Sequence, residues 1–170
     1  MSDHVDRVLA QWAEQYPELD ASSMGVFGRI KRLAQIVEAE QRAVFGAHGL
    51  DAAAFDVLAT LRRSPAPHRL TPADLMRSAM VTSGAITQRL DRLEARGLVV
   101  RIRRQEDARS VHVSLTDAGR ELIDTVLVDH VDNQERMLSG LTGEERGRIA
   151  GELRGLLESL GDTGRTATRG

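Results

Sequence analysis

Residues 70–116 constrain the fold more than any other stretch, because two short helical segments are followed there by two strand-like segments. The first helix starts at Thr71, which precedes a proline and lies three residues before an aspartate, a capping pattern with aspartate in place of the usual glutamate or glutamine. The second helix is predicted to run from a cap at Thr82 or Ser83 to Gly97, since glycine commonly ends helices. This order of elements predicts a winged helix-turn-helix, whose second helix can enter the major groove of duplex DNA.

The two strands and their connecting loop form the predicted wing. Apolar and polar side chains alternate in residues 111–115, as in a half-buried strand, and residues 98–103 form the preceding strand. An arginine at a hairpin tip can enter the minor groove, where the potential is most negative. We expect Arg103 and Arg109 to do so, and Asp107 to pair with Arg109 or a neighbour and hold the tip in shape. The alternative is an ordinary solvated turn.

The second helix has two different faces at about 100° per residue. Ile86, Leu90 and Leu93 share one side and are predicted to face the core. The opposite side carries small, hydroxyl and amide side chains, which can approach base edges and leave backbone N–H groups free for phosphate. An ordinary solvated face is the alternative. The residues predicted to contact DNA are Thr82, Ser83, Gly84, Thr87, Gln88, Arg92, Arg103 and Arg109.

The charge distribution supports a nucleic-acid partner. Residues 62–109 contain eleven arginines against five carboxylates, a local charge of +6, whereas the whole chain has a net charge of −2. A basic segment within an acidic protein is what a phosphate-binding surface requires. Arginine is also simply common in this chain, where Lys31 is the only lysine, so the charge alone does not decide the function.

The rest of the chain is predicted to be helical, giving a mainly α fold with a small β-wing. Aromatic residues make up only 3% of the chain, so the core must consist mostly of Leu, Val, Ile and Ala. Apolar stripes on the first and last helices exceed what the small winged-helix lobe can cover, which predicts a homodimer. We predict one domain over residues 1–160 and a disordered tail at 161–170; the domain comprises an extra N-terminal helix (5–16), dimerisation helices (24–48 and 116–160) and a winged-helix DNA-binding lobe (51–115).

Several function classes are not supported. The five histidines show no metal-ligand spacing and no nucleophile signature, so neither an enzyme nor a metal site is predicted. The absence of cysteine excludes disulfides and thiol redox switches. The N-terminal sequence is acidic where a secretion signal would be basic, and no apolar run approaches the roughly 20 residues of a membrane helix. We therefore expect a cytoplasmic protein without a membrane partner or a cofactor.

The sequence resembles the MarR family of transcriptional regulators over nearly its whole length. The most specific parts are SGAITQRLDRLEARGLVVR, starting at Ser83, and DARSVHVSLTDAG, which ends at Gly119 and contains the Asp107–Ala108–Arg109 segment of the wing. The resemblance implies a dimer of winged-helix subunits joined by their terminal helices. It also implies binding to a pseudo-palindromic operator, usually as a repressor that a small molecule releases.

A narrower resemblance is to the PecS-like, urate-responsive branch of that family. Trp12, Asp56 and Arg89 match positions of that branch's urate pocket, while Ser64 stands where asparagine is usual. The resemblance therefore implies urate or a related planar anion as effector. Arg89 lies about 65° from the apolar centre of its helix, so that it can reach back into the protein and pair with Asp56. Trp12 would cover a flat ligand.

Other interpretations remain open from the sequence. Arg89 and Asp56 can form a merely structural ion pair, and Trp12 can serve only to anchor its helix. The effector can instead be a phenolic compound or a metal ion. The chain can also be a winged-helix protein-interaction module, which salt would distinguish because DNA binding through phosphates weakens steeply as salt rises.

Overall fold

The computed structural model describes residues 2–78, 86–103 and 111–163. Its described part is mostly helical with one small antiparallel sheet, which confirms the predicted fold class. The elements in chain order are α1 (His4–Gln15), α2 (Ser22–Ala47), α3 (Ala52–Arg63), β1 (Arg69–Leu70), α4 (Pro72–Ser78), α5 (Ile86–Ala95), β2 (Val99–Arg103), β3 (Val111–Leu115), α6 (Asp117–Met137) and α7 (Gly143–Ser159). The predicted tail lies outside the described residues from residue 164 onward.

Side-chain caps fix the helix starts that the sequence predicted. The Thr71 hydroxyl accepts a hydrogen bond from the Asp74 backbone N–H (3.1 Å) and donates one to the Asp74 carboxylate (2.6 Å). The hydrogen bond from the Thr71 hydroxyl to the carboxylate is the largest cause that lowers the pKa of Asp74. The capping box of Thr142 and Glu145 at the start of α7 is also present. Helix α2, by contrast, begins two residues before the predicted Met24, at Ser22.

The sheet contains a strand that the sequence analysis missed. Strand β3 lies in the centre, pairing with β2 from Val99↔Leu115 to Arg103↔Val111 and with the two-residue strand β1 on its other edge. Two residues are too few to show the alternation on which strand prediction depends. Strand β1 thus ties the start of the helix-turn-helix to the wing.

One hydrophobic core joins helices α3 to α6 to the sheet. Leu90 and Leu93 of α5 are 1% and 2% exposed, and Ile86 is buried as well, which confirms the predicted core side of this helix. They pack within one cluster with buried residues of the other elements, including Val57, Leu58 and Leu61 of α3, Leu75 of α4, Val113 of β3, and Ile123 and Val126 of α6.

The start of α6 lies against the backbone that joins α5 to β2. The Thr116 N–H donates to the Leu98 carbonyl (3.1 Å), and the Thr116 hydroxyl donates to the Gly97 carbonyl (2.6 Å). A Cβ on Gly119 would lie only 1.9 Å from the Leu98 carbonyl oxygen. Only glycine allows this close approach, which explains the glycine of the LTDAG segment physically.

The chain divides into two compact units, Met1–His130 and Val131–Gly170. In the second unit, Arg146 of α7 pairs with Glu135 (2.5 Å) and donates to the Leu138 carbonyl (2.9 Å). The division into dimerisation helices and a DNA-binding lobe concerns function and stays a prediction. Among the described helices, none alone is long and apolar enough to cross a membrane. Helices α2 and α3 reach that length and apolarity only when taken together, as a pair bent by 77°.

An aromatic cluster in the first unit gives the fold a pH-dependent element. The rings of Phe45 and Phe55 stack at 4.1 Å, and the half-buried His130 ring lies 5.3 and 5.0 Å from them. Burial lowers the pKa of His130 from its ordinary 6.5. The unfolded chain therefore takes up a proton at this position at a higher pH than the folded chain.

We expect the free energy of unfolding to fall as the pH drops below about 6.5, because protonation then favours the unfolded state. The His130→Phe variant should lose less stability than the unmodified protein between pH about 7.5 and about 5.5 in urea titrations. Removing the exposed imidazole with His4→Gln is the control and should preserve the original pH dependence. Equal pH dependence in the unmodified protein and His130→Phe would contradict the assignment.

Candidate nucleic-acid interface

The outward face of α5 presents the side chains expected at a base-reading surface. Thr87, Gln88 and Asp91 are exposed opposite the buried leucines, and Arg92 is exposed beside them. Hydroxyl and amide groups in this position are able to hydrogen-bond to base edges. The face therefore has the polarity and small side chains that the sequence predicted.

Part of the predicted interface lies outside the described residues. This applies to Thr82, Ser83 and Gly84 before α5, and to Asp107 and Arg109 in the wing loop. Arg103 is described only in its backbone, where it ends β2 opposite Val111. The roles predicted for these residues stay predictions.

Most of the described arginines in the basic segment are engaged within the protein. Arg62 pairs with Asp124 (2.6 Å), and this hydrogen bond and charge raise the pKa of Arg62. The other engaged guanidinium groups are those of Arg63 on the Ser78 carbonyl (2.6 Å), Arg77 on Asp74, Arg96 on the Gly49 carbonyl (2.9 Å), and Arg101 on Asp91 and Glu94. Fewer cationic side chains are therefore available to bind a ligand than the local charge of +6 indicates.

Among the arginine side chains of the segment that the structure describes, three make no hydrogen bond or ion pair with a described residue: those of Arg69, Arg89 and Arg92. Arg69 and Arg92 are exposed, whereas Arg89 is half-buried. Free guanidinium groups at a protein surface are ready partners for phosphate or carboxylate. Arg92 thus has the exposure that its predicted DNA contact requires.

A groove lies beside α5 on the side of its arginines. Its volume is about 330 Å³, and three guanidinium-bearing residues one turn apart, Arg89, Arg92 and Arg96, line it. The opposite wall comes from the α2–α3 turn, including Gly49 and the capping residue Asp51. Positive charge is therefore concentrated along one edge of α5, which the sequence alone does not show.

The four predicted effector residues occupy different environments. Asp56 is buried on α3, on the helix next to α5, and its pairing with Arg89 stays a prediction. Ser64 is buried at the end of α3, where its hydroxyl donates to the Leu61 carbonyl (2.7 Å). Trp12 is 36% exposed and its ring lies 5.7 Å from that of Tyr16.

Helix α1, which carries Trp12, is held on α2 by charge and by close packing. Arg29 pairs with Asp3 (2.8 Å) and Asp6 (2.5 Å), the two residues of the α1 capping box. The buried Val5 packs against Gly28, where an added Cβ would lie 3.1 Å from a Val5 methyl group. Contacts within the chain therefore fix the position of the helix that carries Trp12.

In the part of the chain that the structure describes, no group of three His, Asp or Glu side chains is placed to hold a metal ion.

The three-stranded wing, the buried core side of α5 and its polar outward face together define a winged-helix DNA-binding protein. The sequence model of the MarR family matches residues 48–110. The chain is 37% identical over 142 residues to the HTH-type transcriptional regulator PecS of Dickeya dadantii, covering 84% of this chain and 86% of PecS. It is 28% identical over 152 residues to the HTH-type transcriptional repressor YetL of Bacillus subtilis, covering 89% and 90% of the two chains. The chain belongs to the MarR family of transcriptional regulators.

Solved structures of this family have the same fold. A MarR family regulator from Streptomyces coelicolor in complex with DNA matches with a TM-score of 0.74 and 25% identity, over 87% of this chain and 93% of that one. A MarR mutant from E. coli complexed with operator DNA matches with a TM-score of 0.67 and 25% identity, over 92% and 99%. Family membership confirms the predictions of a DNA-binding transcription regulator and of a protein that is not an enzyme.

Proposed function

We propose that the protein is a cytoplasmic repressor that binds a pseudo-palindromic operator as a homodimer and is released by a small planar anion such as urate. The main supporting observation is the outward face of α5, where Thr87 and Gln88 are exposed beside Arg92, which pairs with no described residue. Related regulators have been crystallised with DNA, one of them with its operator. In this proposal α5 enters the major groove, the wing reaches the adjacent minor groove, and Arg92 contacts phosphate.

The homodimer accounts for large apolar side chains exposed in each unit. On α2, Phe27, Leu33 and Ile36 are more than half exposed. On α7 and at its C-cap, exposed apolar residues recur at helical spacing: Ile149, Leu153, Leu157 and the capping residue Leu160. Burial of such surfaces against a second copy is favourable, and two-fold symmetry presents two reading heads to two half-sites.

The effector part of the proposal rests on Arg89 and on the similarity to PecS. Arg89 is half-buried, has no described partner and lines the groove beside Arg92. An anion held by Arg89 would act directly on the reading helix. Ser64 already uses its hydroxyl within α3, so urate would gain less from this position than from the asparagine implied by the resemblance.

We expect the protein to bind the DNA upstream of its own gene in a gel shift at fixed salt, and urate to release it. Steep weakening with salt is also expected, because each neutralised phosphate changes the logarithmic salt slope by about 0.9. A partner bound without salt dependence would instead favour a protein-interaction module. Release by salicylate or zinc, with urate inactive, would keep the regulator and assign a phenolic or metal effector.

A further inference from the structure

The two carboxylates on the reading helix share one basic partner on the wing. The Arg101 guanidinium donates from Nη2 to Asp91 Oδ1 (2.6 Å) and from Nη1 to Glu94 Oε2. The backbone N–H of Arg101 also donates to Glu94 Oε1 (3.1 Å). Three hydrogen bonds therefore connect β2 to α5 at a single residue.

The placement of these carboxylates makes the interaction relevant to DNA. Asp91 and Glu94 lie three residues apart, so they share one shoulder of α5, and Asp91 also belongs to the outward face with Gln88. Their side chains are 57% and 38% exposed. Two negative charges beside a phosphate-binding face would repel DNA unless a cation balanced them.

Arg101 is also well placed to transmit geometry. It lies in the middle of β2 and pairs in register with the fully buried Val113 of β3, so its backbone is fixed by the sheet. Its side chain is only 27% exposed. Burial lowers the pKa of Arg101, but the hydrogen bonds to Asp91 and Glu94 outweigh this effect and raise it above the ordinary value.

We propose that Arg101 is a positioning residue for DNA binding. It sets the angle between α5 and the β2–β3 hairpin, balances Asp91 and Glu94, and does not itself contact phosphate. This inference rests on the proposed docking of α5 on DNA. Arginine is required because its planar fork meets two carboxylates at once, whereas lysine is a single point charge.

The test is a double-mutant cycle on an operator duplex that the unmodified protein selects from random-sequence DNA. Arg101→Gln should weaken operator binding about tenfold, within the range of coupling between neighbouring charges. In the Asp91→Asn/Glu94→Gln background, where the ion pairs are already broken, the same change should cost less than about threefold. Equal losses in the two backgrounds, or no loss in the unmodified background, would overturn the proposal.

Two further measurements keep folding and docking separate from this result. The salt slope should be nearly unchanged by Arg101→Gln, whereas the matched variant Arg92→Gln should reduce it by about 0.9 for each phosphate that is no longer neutralised. Arg101→Lys keeps the charge and should still lose affinity; full affinity in this variant would also overturn the proposal. Circular dichroism verifies that each variant is folded. If Arg92→Gln changes neither affinity nor slope, the proposed phosphate contact of Arg92 fails, and the cycle still reports on Arg101.

Discussion

Gly119→Ala is expected to lower the free energy of unfolding by about 3 kcal/mol, the upper end of what overpacking in a well-packed site usually costs. The new Cβ would lie 1.9 Å from the Leu98 carbonyl oxygen, a distance that requires the backbone to move. Such a shift also strains the hydrogen bond from the Thr116 N–H to the same carbonyl. In thermal unfolding, this corresponds to a decrease in Tm of roughly 6–12 °C for a chain of this size.

The expected loss of stability has the opposite sign to the effect of helix propensity. Gly119 lies in the first turn of α6, where helix propensity alone would make alanine more stable than glycine by roughly 0.5–1 kcal/mol. Gly46 of α2 is the matched control, since an added Cβ there meets no atom within 4 Å in the described structure. Gly46→Ala should therefore leave stability unchanged or raise it slightly. A Gly119→Ala variant as stable as Gly46→Ala would mean that α6 does not approach Leu98 this closely.

The consequence for function follows from the position of Leu98. Gly97 ends α5 in a left-handed conformation (φ 69°), and Leu98 leads directly into β2. The close packing of α6 on this junction therefore constrains the reading helix and the wing together. A displacement at Leu98 should therefore disturb α5 and the wing at once.

The elements that sequence analysis predicts correctly are those whose signals are local. The core side of α5 is predictable because Ile86, Leu90 and Leu93 recur at the helical period, and burial follows this period. Thr71 and Thr142 mark helix starts because a cap and its partner lie within one turn. The two-residue β1 is not predictable in this way because its only signal is its pairing with β3, which is distant in sequence.

The candidate site depends even more on contacts between residues that are distant in sequence. Sequence allows charges to be counted but does not show which charges meet, so it does not reveal the engagement of Arg62, Arg96 and Arg101 within the protein. Arg101 carries no motif of its own. Its role depends on the approach of β2 to α5, which the spacing of the two carboxylates on α5 alone does not reveal. Likewise, the groove that Arg89 lines beside α5 is not visible in the sequence, because its other wall comes from the α2–α3 turn.

Arg89→Ala should separate effector response from DNA binding. If Arg89 holds the anion, the urate concentration for half-release should rise about 30-fold, which corresponds to roughly 2 kcal/mol for a hydrogen bond to a charged group. Affinity for the operator without urate should stay within about threefold, because the half-buried Arg89 lies between the core side and the outward face of α5. Gel-shift titration of urate against the preformed DNA complex measures both quantities.

Arg92→Ala provides the crossed control, since Arg92 lies one turn further along α5 and lines the same groove. It should weaken operator binding and reduce the salt slope by about 0.9 for each phosphate that is no longer neutralised, while the effect of urate on the remaining complex is preserved. Loss of the urate response in both variants would mean that the anion bridges the two guanidinium groups and competes with phosphate for them. An unchanged response in Arg89→Ala would exclude Arg89 as the anion's partner. Coupling between anion and operator would then have to pass through another element, because an effector shifts DNA binding only as far as it discriminates between the free and DNA-bound forms.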